Sequence, residues 1–541
     1  MKKNFILEYI FKYKTKVVFY EIILVVLAII SAIFSVILGD LFDVAGTTNY
    51  QLFNRIIVKL ITTFVLILIF TFVVGLIKSN YISKIYAFIK NNFIHKLLSK
   101  PMNKFYENEI SEYISVLIND INTIQNMYVE SLLSINENII RLIISIIILL
   151  KINVISTIIV VLLSILPIAL SAVFNKKIGK EANKFAKGKG EYTKKTVELL
   201  NGHDFFKINN SEKDVIALHA EINIKASETK RKSFTWIEGL SSIVGISAIS
   251  ITILTLLGGM FLALRGYLTI GQVFAISFIS NGISTPLMEL SDLIPKLKGG
   301  SAIIKRYEEY ITENNVDEYK DISKINDNIK LEDVSLKLDR KILDNVDLKI
   351  ELGKKYLLTG ESGSGKSVLL KTILGQYNNY NGNIKIANLE VKDIDEDSIY
   401  KNISYIPQEN FFFEDSIKNN LTLFDEDISD EQILEVLDFV NMKNKVLSLP
   451  NKLETRLNEN KSNLSGGEKQ RLSIARTLLK LKQILLLDES TSALDNKNYI
   501  NIENKLTQLQ GITIINICHR LQEEIVDKYD KVLVMDNGKI I

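Results

Sequence analysis

The sequence predicts two parts, a membrane-embedded bundle of six α-helices followed by an α/β domain, and three observations carry that prediction. Apolar runs long enough to cross a bilayer all fall before residue 300. A glycine-rich loop from Gly360 to Ser367 lies between a strand-like and a helix-like segment. The all-apolar stretch 484–487 ends in two acids. The 47% hydrophobic content and mean hydropathy of +0.17 are high for a soluble chain, and the excess sits in the first part. The expected division is a helical domain over 1–312, a linker over 313–327 and the α/β domain over 328–541. A net charge of +3 supplies no basic field of the kind nucleic acid needs. The single Cys518 excludes a disulfide framework, and His95, His203, His219 and His519 are too scattered in sequence to suggest a metal cluster.

The N-terminus places Lys2, Lys3, Lys12, Lys14 and Lys16 before the first apolar run, with no small-residue cleavage site after it, so a retained first helix is expected. Six spans follow, near 17–38, 56–77, 128–150, 154–174, 237–264 and 272–293. Each approaches the ~20 residues that cross ~30 Å of hydrocarbon. Lysines before the first span oppose Asp40, Asp43 and a single Arg55 beyond it, which puts the N-terminus in the cytoplasm. An even number of spans returns the chain there before Lys296, Lys298, Lys305 and Arg306. Only Lys151, Ile152 and Asn153 separate spans three and four, whereas the segments after spans two and four are long and polar with apolar residues at helical spacing. These read as helical stalks, with their far turns, 105–113 and 201–208, as contact points for another cytoplasmic domain. Polar residues within spans are functional candidates. Glu137 and Arg141, four apart, form an internal ion pair or line a cavity, the pair being preferred. Glu289 and Asp292, beside Pro286, either touch cargo or lie at the aqueous interface.

In the second part, Gly360, Glu361, Ser362, Gly363, Ser364, Gly365, Lys366 and Ser367 complete the phosphate-binding pattern G-x-x-x-x-G-K-[ST]. The apolar strand 355–359 precedes it and a helical run 368–374 follows, the context the motif requires. Glycines let backbone N–H groups surround phosphates, and the helix N-terminus adds partial positive charge. Lys366 is expected on the β- and γ-phosphates and Ser367 on Mg2+. The strand 484–487 suits a parallel sheet buried on both faces, and its C-terminal end is where such a sheet places ligands. Asp488 there suits a Mg2+ role, and Glu489 is placed to orient or deprotonate an attacking water. Cys518, ending the apolar strand 512–518, is expected buried and inert.

Leu464, Ser465, Gly466, Gly467 and Glu468, followed by Lys-Gln-Arg-Leu-Ser-Ile-Ala-Arg476, resemble the signature motif of ATP-binding-cassette (ABC) transporters. Asp495 in Ser-Ala-Leu-Asp resembles the D-loop, Gln408 in Tyr-Ile-Pro-Gln the Q-loop, and His519 the switch histidine. With six fused spans the resemblance covers nearly the whole chain and points to the exporter branch. It implies an ATPase coupled to transport, with ATP and Mg2+ held between one subunit's phosphate loop and the other's signature. Gln408 would contact Mg2+ and the water, and His519 the γ-phosphate. The expected partners are a second copy, or a related half-transporter, the bilayer and a transported solute. Glu489 and His519 are both present, which favours a homodimer.

Departures from the family pattern lie at Leu338, where an aromatic residue often stacks on adenine, at Glu468 in place of the usual Gln, and at 458–461, Asn-Glu-Asn-Lys in place of Gly-Glu-Arg-Gly. Base stacking is worth about 1–3 kcal/mol, so a weaker adenine grip or help from elsewhere is expected. The chain ends soon after Gly538 without the extension many members carry, and no cysteine-protease domain precedes the spans, so this chain is not expected to cut a peptide leader. The expected function is outward movement of an amphipathic or hydrophobic solute (drug, lipid or peptide). The alternatives are a peptide-binding self-protection or sensory protein and an importer on the same scaffold. Abundant Ile, Lys and Asn suggest an AT-rich bacterial genome.

Overall fold

A computed structural model describes residues 14–45, 49–311, 319–457, 464–518 and 522–541. The chain divides into two compact units, one of residues 1–98 and 110–312, the other of 99–109 and 313–541.

The first unit is helical: α1 (Lys14–Ala45), α2 (Tyr50–Leu98), α3 (Ile110–Ile152), α4 (Val154–Asn201), α5 (Glu212–Leu264) and α6 (Ile270–Ile311). Five of these are long and apolar enough to cross a membrane, and α4 opens with the sixth apolar stretch, Val154–Leu170. Every expected span falls inside one of them. Asn153, the one residue between α3 and α4, caps α4 by accepting from the Ser156 N–H at 2.9 Å. Helices α2, α4 and α5 run 49, 48 and 53 residues. At 1.5 Å per residue each is roughly 70–80 Å long, more than twice the hydrocarbon thickness. The polar continuations are therefore helical, as the stalk reading expects. At the far turn of α4 and α5, the short helix His203–Ile208 leaves Phe205 69% and Ile208 79% exposed.

Lipid offers no hydrophobic drive between helices, so packing falls to small residues and polar pairs. Gly39 of α1 and Gly271 of α6 meet backbone to backbone, and a Cβ on either would run into the other's carbonyl oxygen. Phe42 stacks on Phe274 at 3.9 Å, and Asp43 accepts from the Gly271 N–H at 2.6 Å and the Thr269 hydroxyl at 2.7 Å. The expected Glu137–Arg141 pair is corrected: Glu137 pairs with Lys78 of α2 at 3.0 Å. A partner on a neighbouring helix ties two spans together, which a pair within one turn cannot do. Glu289 accepts from Asn138 of α3 at 2.9 Å, and Asp292 pairs with Lys296 at 2.6 Å.

The second unit contains two sheets. Strands β1 (Ile329–Lys337), β2 (Lys341–Ile350), β4 (Asn381–Ile386) and β5 (Leu389–Glu390) form an antiparallel sheet in the order β2-β1-β4-β5. Strands β3 (Lys355–Thr359), β6 (Ile403–Ile406), β7 (Ile484–Asp488), β8 (Thr513–Ile517), β9 (Lys531–Asp536) and β10 (Lys539–Ile540) form the main sheet in the order β10-β9-β3-β8-β7-β6. All but β10 run parallel within it. Every residue of β3, β7 and β8 is buried, which is why 484–487 reads as an unbroken apolar run and why the other two strands are mostly apolar. Around the sheet lie α7 (Lys366–Ile373), α8 (Glu396–Asn402), α9 (Ile417–Thr422), α10 (Asp430–Phe439), α11 (Gly466–Leu479) and α12 (Asn496–Thr507).

Two features of this unit differ from or extend the expectations. Ile322 and Ile325, placed in the expected linker, are buried in the core beside β1 and α8. Residues 99–109 belong to this unit, where the Met102 N–H donates to Glu396 of α8 at 2.8 Å. Of the expected contact turn 105–113, residues 105–109 therefore lie here and 110–113 in the helical unit.

Candidate functional site

Strand β3 ends at Thr359, and the chain turns through Gly360, Gly363 and Gly365 at φ values of 145°, 82° and 108°. Side chains rarely reach that region, so glycine is required at each. Helix α7 then starts at Lys366. The Lys366 ammonium folds back into the loop, donating to the Gly360 carbonyl at 2.8 Å and the Glu361 carbonyl at 2.7 Å, with Ser364 Oγ at 3.4 Å. Burial draws its pKa down, against the opposing pull of Glu489 and Asp488.

Two strands away, β7 delivers Asp488 and Glu489 to the same edge of the sheet. The Ser367 hydroxyl donates to Asp488 Oδ1 at 2.7 Å, and the Tyr405 hydroxyl donates to Oδ2 at 3.0 Å. Gln408, just past β6, donates its amide to Glu489 Oε2 at 2.9 Å. Glu489 itself sits at φ 51°, a left-handed conformation that is costly for a residue with a Cβ and is concentrated at functional sites. Its N–H is tied to the Ile517 carbonyl at 3.3 Å, and its carbonyl accepts from the Ser492 N–H at 3.1 Å. Four residues from three separate motifs are thus brought together: Ser367, Gln408, Asp488 and Glu489. Hydroxyl and carboxylate oxygens in contact are the hard donors Mg2+ takes, so the residues fit that ion.

Tyr405 is a member that sequence reasoning missed. Burial raises its pKa, with Asp488 adding to the effect, so it stays a neutral donor to that carboxylate. No local pattern marks it: β6 pairs with β7 in parallel register, with Tyr405 opposite Leu486, and only that pairing brings it beside Asp488. Arg340 is a second omission. Its guanidinium approaches the space above Gly363, and no carboxylate pairs with it among the described residues. Leu338, 40% exposed, lines a cavity of about 1000 Å3 together with Lys371, Tyr377 and Tyr405.

The signature residues form a second cluster. Ser465 caps α11 by accepting from the Glu468 N–H at 3.3 Å, while Glu468 accepts from the Ser465 N–H at 2.7 Å. That reciprocal box needs an acceptor at the third helical position and is served by Glu as well as Gln, which accounts for the departure at Glu468. Gly466 and Gly467 follow, and a Cβ on Gly467 would press on the Ala493 carbonyl at 2.8 Å. Gln470 bridges to the post-β7 segment, accepting from the Ala493 N–H at 2.9 Å and donating to Ser492 at 3.2 Å. Asp495 caps α12 through the Asn498 N–H and lies 3.9 Å from Arg471, and its pKa is lowered, chiefly by the Asn498 side chain. Among the described residues no hydrogen bond or ion pair joins Ser465 or Glu468 to the phosphate loop.

Beneath both clusters, Glu503 of α12 is fully buried and accepts from Thr491 at 3.0 Å, Asn516 at 3.0 Å and Tyr529 at 2.7 Å. Burial raises its pKa, with these bonds opposing. Cys518 is buried against the Tyr499 hydroxyl at 3.3 Å, as expected of an inert thiol. His519 and the stretch 458–463 lie outside the described residues.

A phosphate loop on a parallel sheet, carboxylates on a strand two places away, and a bundle of membrane-length helices define a P-loop nucleotide-binding membrane protein. The model of the ABC transporter transmembrane region matches residues 17–287 and the ABC transporter model matches 343–492. The chain belongs to the ABC transporter family, uses ATP and is a multi-pass membrane protein. It is 30% identical to an uncharacterized ABC transporter ATP-binding protein of Bacillus subtilis, over 70% of this chain and 67% of that one. It is 34% identical to the pediocin PA-1 transport/processing ATP-binding protein of Pediococcus acidilactici, over 56% of this chain and 43% of that protein. The microcin-J25 export ATP-binding/permease protein of Escherichia coli matches at 34%, over 51% and 48%. The chain thus spans about half the length of these last two relatives. A structure of a bacterial Atm1-family ABC exporter with ATP bound superposes with a TM-score of 0.83 over 97% of this chain and 94% of that one, at 20% identity, and shares the fold.

Proposed function

We propose that this chain is one half of an ATP-driven exporter that works as a homodimer, with a heterodimer as the alternative assembly. The observation that carries the proposal is the hydrogen-bonded group Ser367–Asp488 and Gln408–Glu489 at the mouth of the phosphate loop, in a chain whose other unit is membrane-length helices. Lys366 exchanges its two loop carbonyls for the β- and γ-phosphates, and the N–H groups opening α7 surround them. Bound Mg2+, held by Ser367 and Asp488 with Gln408 nearby, would neutralise charge developing on the phosphates. Glu489 accepts a proton from the attacking water, and Gln408 fixes its carboxylate for that task.

The dimer accounts for the two unconnected clusters. The partner's Gly466 and Gly467 N–H groups would close on the γ-phosphate, with His519 contributing from the loop-bearing subunit. The exposed Phe205 and Ile208 at the α4–α5 turn offer an apolar tip for a partner's soluble unit. ATP between subunits favours the closed state, and hydrolysis returns the population to the open one. The lysine bias around α1 supports a cytoplasmic N-terminus and soluble unit in a bacterial cell membrane. The proposed cargo is an amphipathic or hydrophobic solute, and the relatives named for pediocin and microcin transport favour a peptide. Inside-out vesicles bearing the full-length protein should accumulate such a solute only with hydrolysable ATP. No accumulation together with intact ATP turnover would sink the export reading.

A further inference from the structure

The left-handed backbone of Glu489 is a conformation that keeps its geometry only where the surroundings over-determine it. Two walls flank the residue. On one side its N–H donates to the Ile517 carbonyl of β8 at 3.3 Å. On the other the chain runs through Ser490 and Thr491 to the Ser492 N–H, which donates back to the Glu489 carbonyl at 3.1 Å. The Ser490 hydroxyl is buried and has no hydrogen-bond partner, so Thr491 is the first side chain past Glu489 that is tied down. Gln470 holds only the farther part of this turn, at Ser492 and Ala493.

Both walls converge on one carboxylate. Glu503 of α12, fully buried, accepts from the Thr491 hydroxyl through Oε1 at 3.0 Å. The Asn516 amide, next to Ile517 on β8, donates to Oε1 and to Oε2, each at 3.0 Å. The Tyr529 hydroxyl, just before β9, donates to Oε2 at 2.7 Å and accepts from the Asn516 amide at 2.8 Å. Asn516 Oδ1 has no hydrogen-bond partner, so that side chain is held through its amide alone. Thr491, Asn516 and Tyr529 complete the hydrogen-bonding set of Glu503 among the described residues, and a carboxylate satisfied by donors on three segments makes a rigid hub.

We infer that Glu503 is a positioning residue for ATP hydrolysis: through Thr491 and Asn516 it clamps the backbone on both sides of Glu489 and so aims that carboxylate at the attacking water. The inference rests on the reading of Glu489 as the group that accepts the water's proton, and goes beyond it by assigning what holds Glu489 in place.

The test measures ATP turnover, affinity for a non-hydrolysable ATP analogue and thermal unfolding on the full-length protein in lipid. Thr491→Val keeps the shape of the side chain and removes the hydroxyl that reaches Glu503. Turnover should fall about 10- to 100-fold, the scale expected when a catalytic group is misplaced by about 1 Å. Analogue affinity should stay near the parent value, because the groups of the phosphate loop are unchanged. Thr491→Ser restores the hydroxyl and should keep parent turnover. Tyr529→Phe removes two hydrogen bonds from the same network but leaves both walls bonded to Glu503. It should lower the unfolding temperature at least as much as Thr491→Val while turnover stays near the parent rate. Turnover that survives in Thr491→Val, or that follows the unfolding temperature across the three variants, would make Glu503 a structural group only and overturn the inference. Loss of analogue affinity in step with turnover would overturn it too. Glu489→Gln separates the two readings. Full turnover there overturns the proton-acceptor reading and this inference with it, whereas loss there with parent turnover in Thr491→Val overturns this inference alone.

Discussion

In the sheet-bearing unit Asp488 accepts from two hydroxyls, Ser367 and Tyr405, and Lys366 rests on two loop carbonyls, whereas in the helical unit Glu137 meets the ammonium of Lys78 directly. The first arrangement leaves each charge with neutral partners, which a phosphate or a metal ion can displace without stranding an opposite charge. The second cancels charge against charge, as a low-dielectric surrounding demands. Polar groups at the sheet edge are arranged to be handed over to a ligand, and those between the spans to stay where they are.

Substitutions can break or sharpen that contrast. Glu489→Gln should lower ATP turnover about 10²–10⁴-fold, the usual range for losing a general base. Nucleotide binding should persist in this variant, and phosphate release near the parent rate would remove Glu489 from its role. Glu503→Ala strands three buried donors and should cost about 3 kcal/mol, lowering the unfolding temperature by roughly 6–12 °C. Because burial raises the folded-state pKa of Glu503, the folded chain holds more protons than the unfolded one between the ordinary carboxylate value and the raised one. Stability from this group is therefore full below that window and lost as pH rises through it, and Glu503→Gln should flatten the slope in thermal unfolding. Lys366→Ala should weaken nucleotide affinity by about 1.5–3 kcal/mol, roughly 10- to 100-fold in Kd by titration. A double-mutant cycle on Lys78→Met and Glu137→Gln should give the smallest effect, a coupling of about 1 kcal/mol for a partly exposed pair. Pairing Glu137→Gln with Arg141→Met instead should give none.

The residues grouped at the sheet edge were readable because their spacing is local. The loop pattern fixes Lys366 and Ser367, and an all-apolar strand fixes where Asp488 and Glu489 emerge. Tyr405 escaped notice because its role depends on which strand lies beside β7, and the order β8-β7-β6 is a long-range fact. The helical unit shows the same divide. Apolar length located all the spans, and short loops located the hairpin at Asn153, but the Glu137 partner sits 59 positions away and depends on how α2 rotates against α3. Helical spacing offered Arg141 because sequence alone ranks near neighbours first. Two residues within the expected linker show the same dependence: Ile322 and Ile325 are isolated apolar residues whose burial depends on a sheet assembled later in the chain.

The meeting of Gly39 with Gly271 has a mechanical consequence. Backbone contact, a stacked ring pair and a carboxylate accepting from the Gly271 N–H and the Thr269 hydroxyl restrict sliding or turning of α1 against α6 near that point. The two helices should therefore move as one rod near that point, leaving any bending of the bundle to the remaining helices or to the opposite ends of these two.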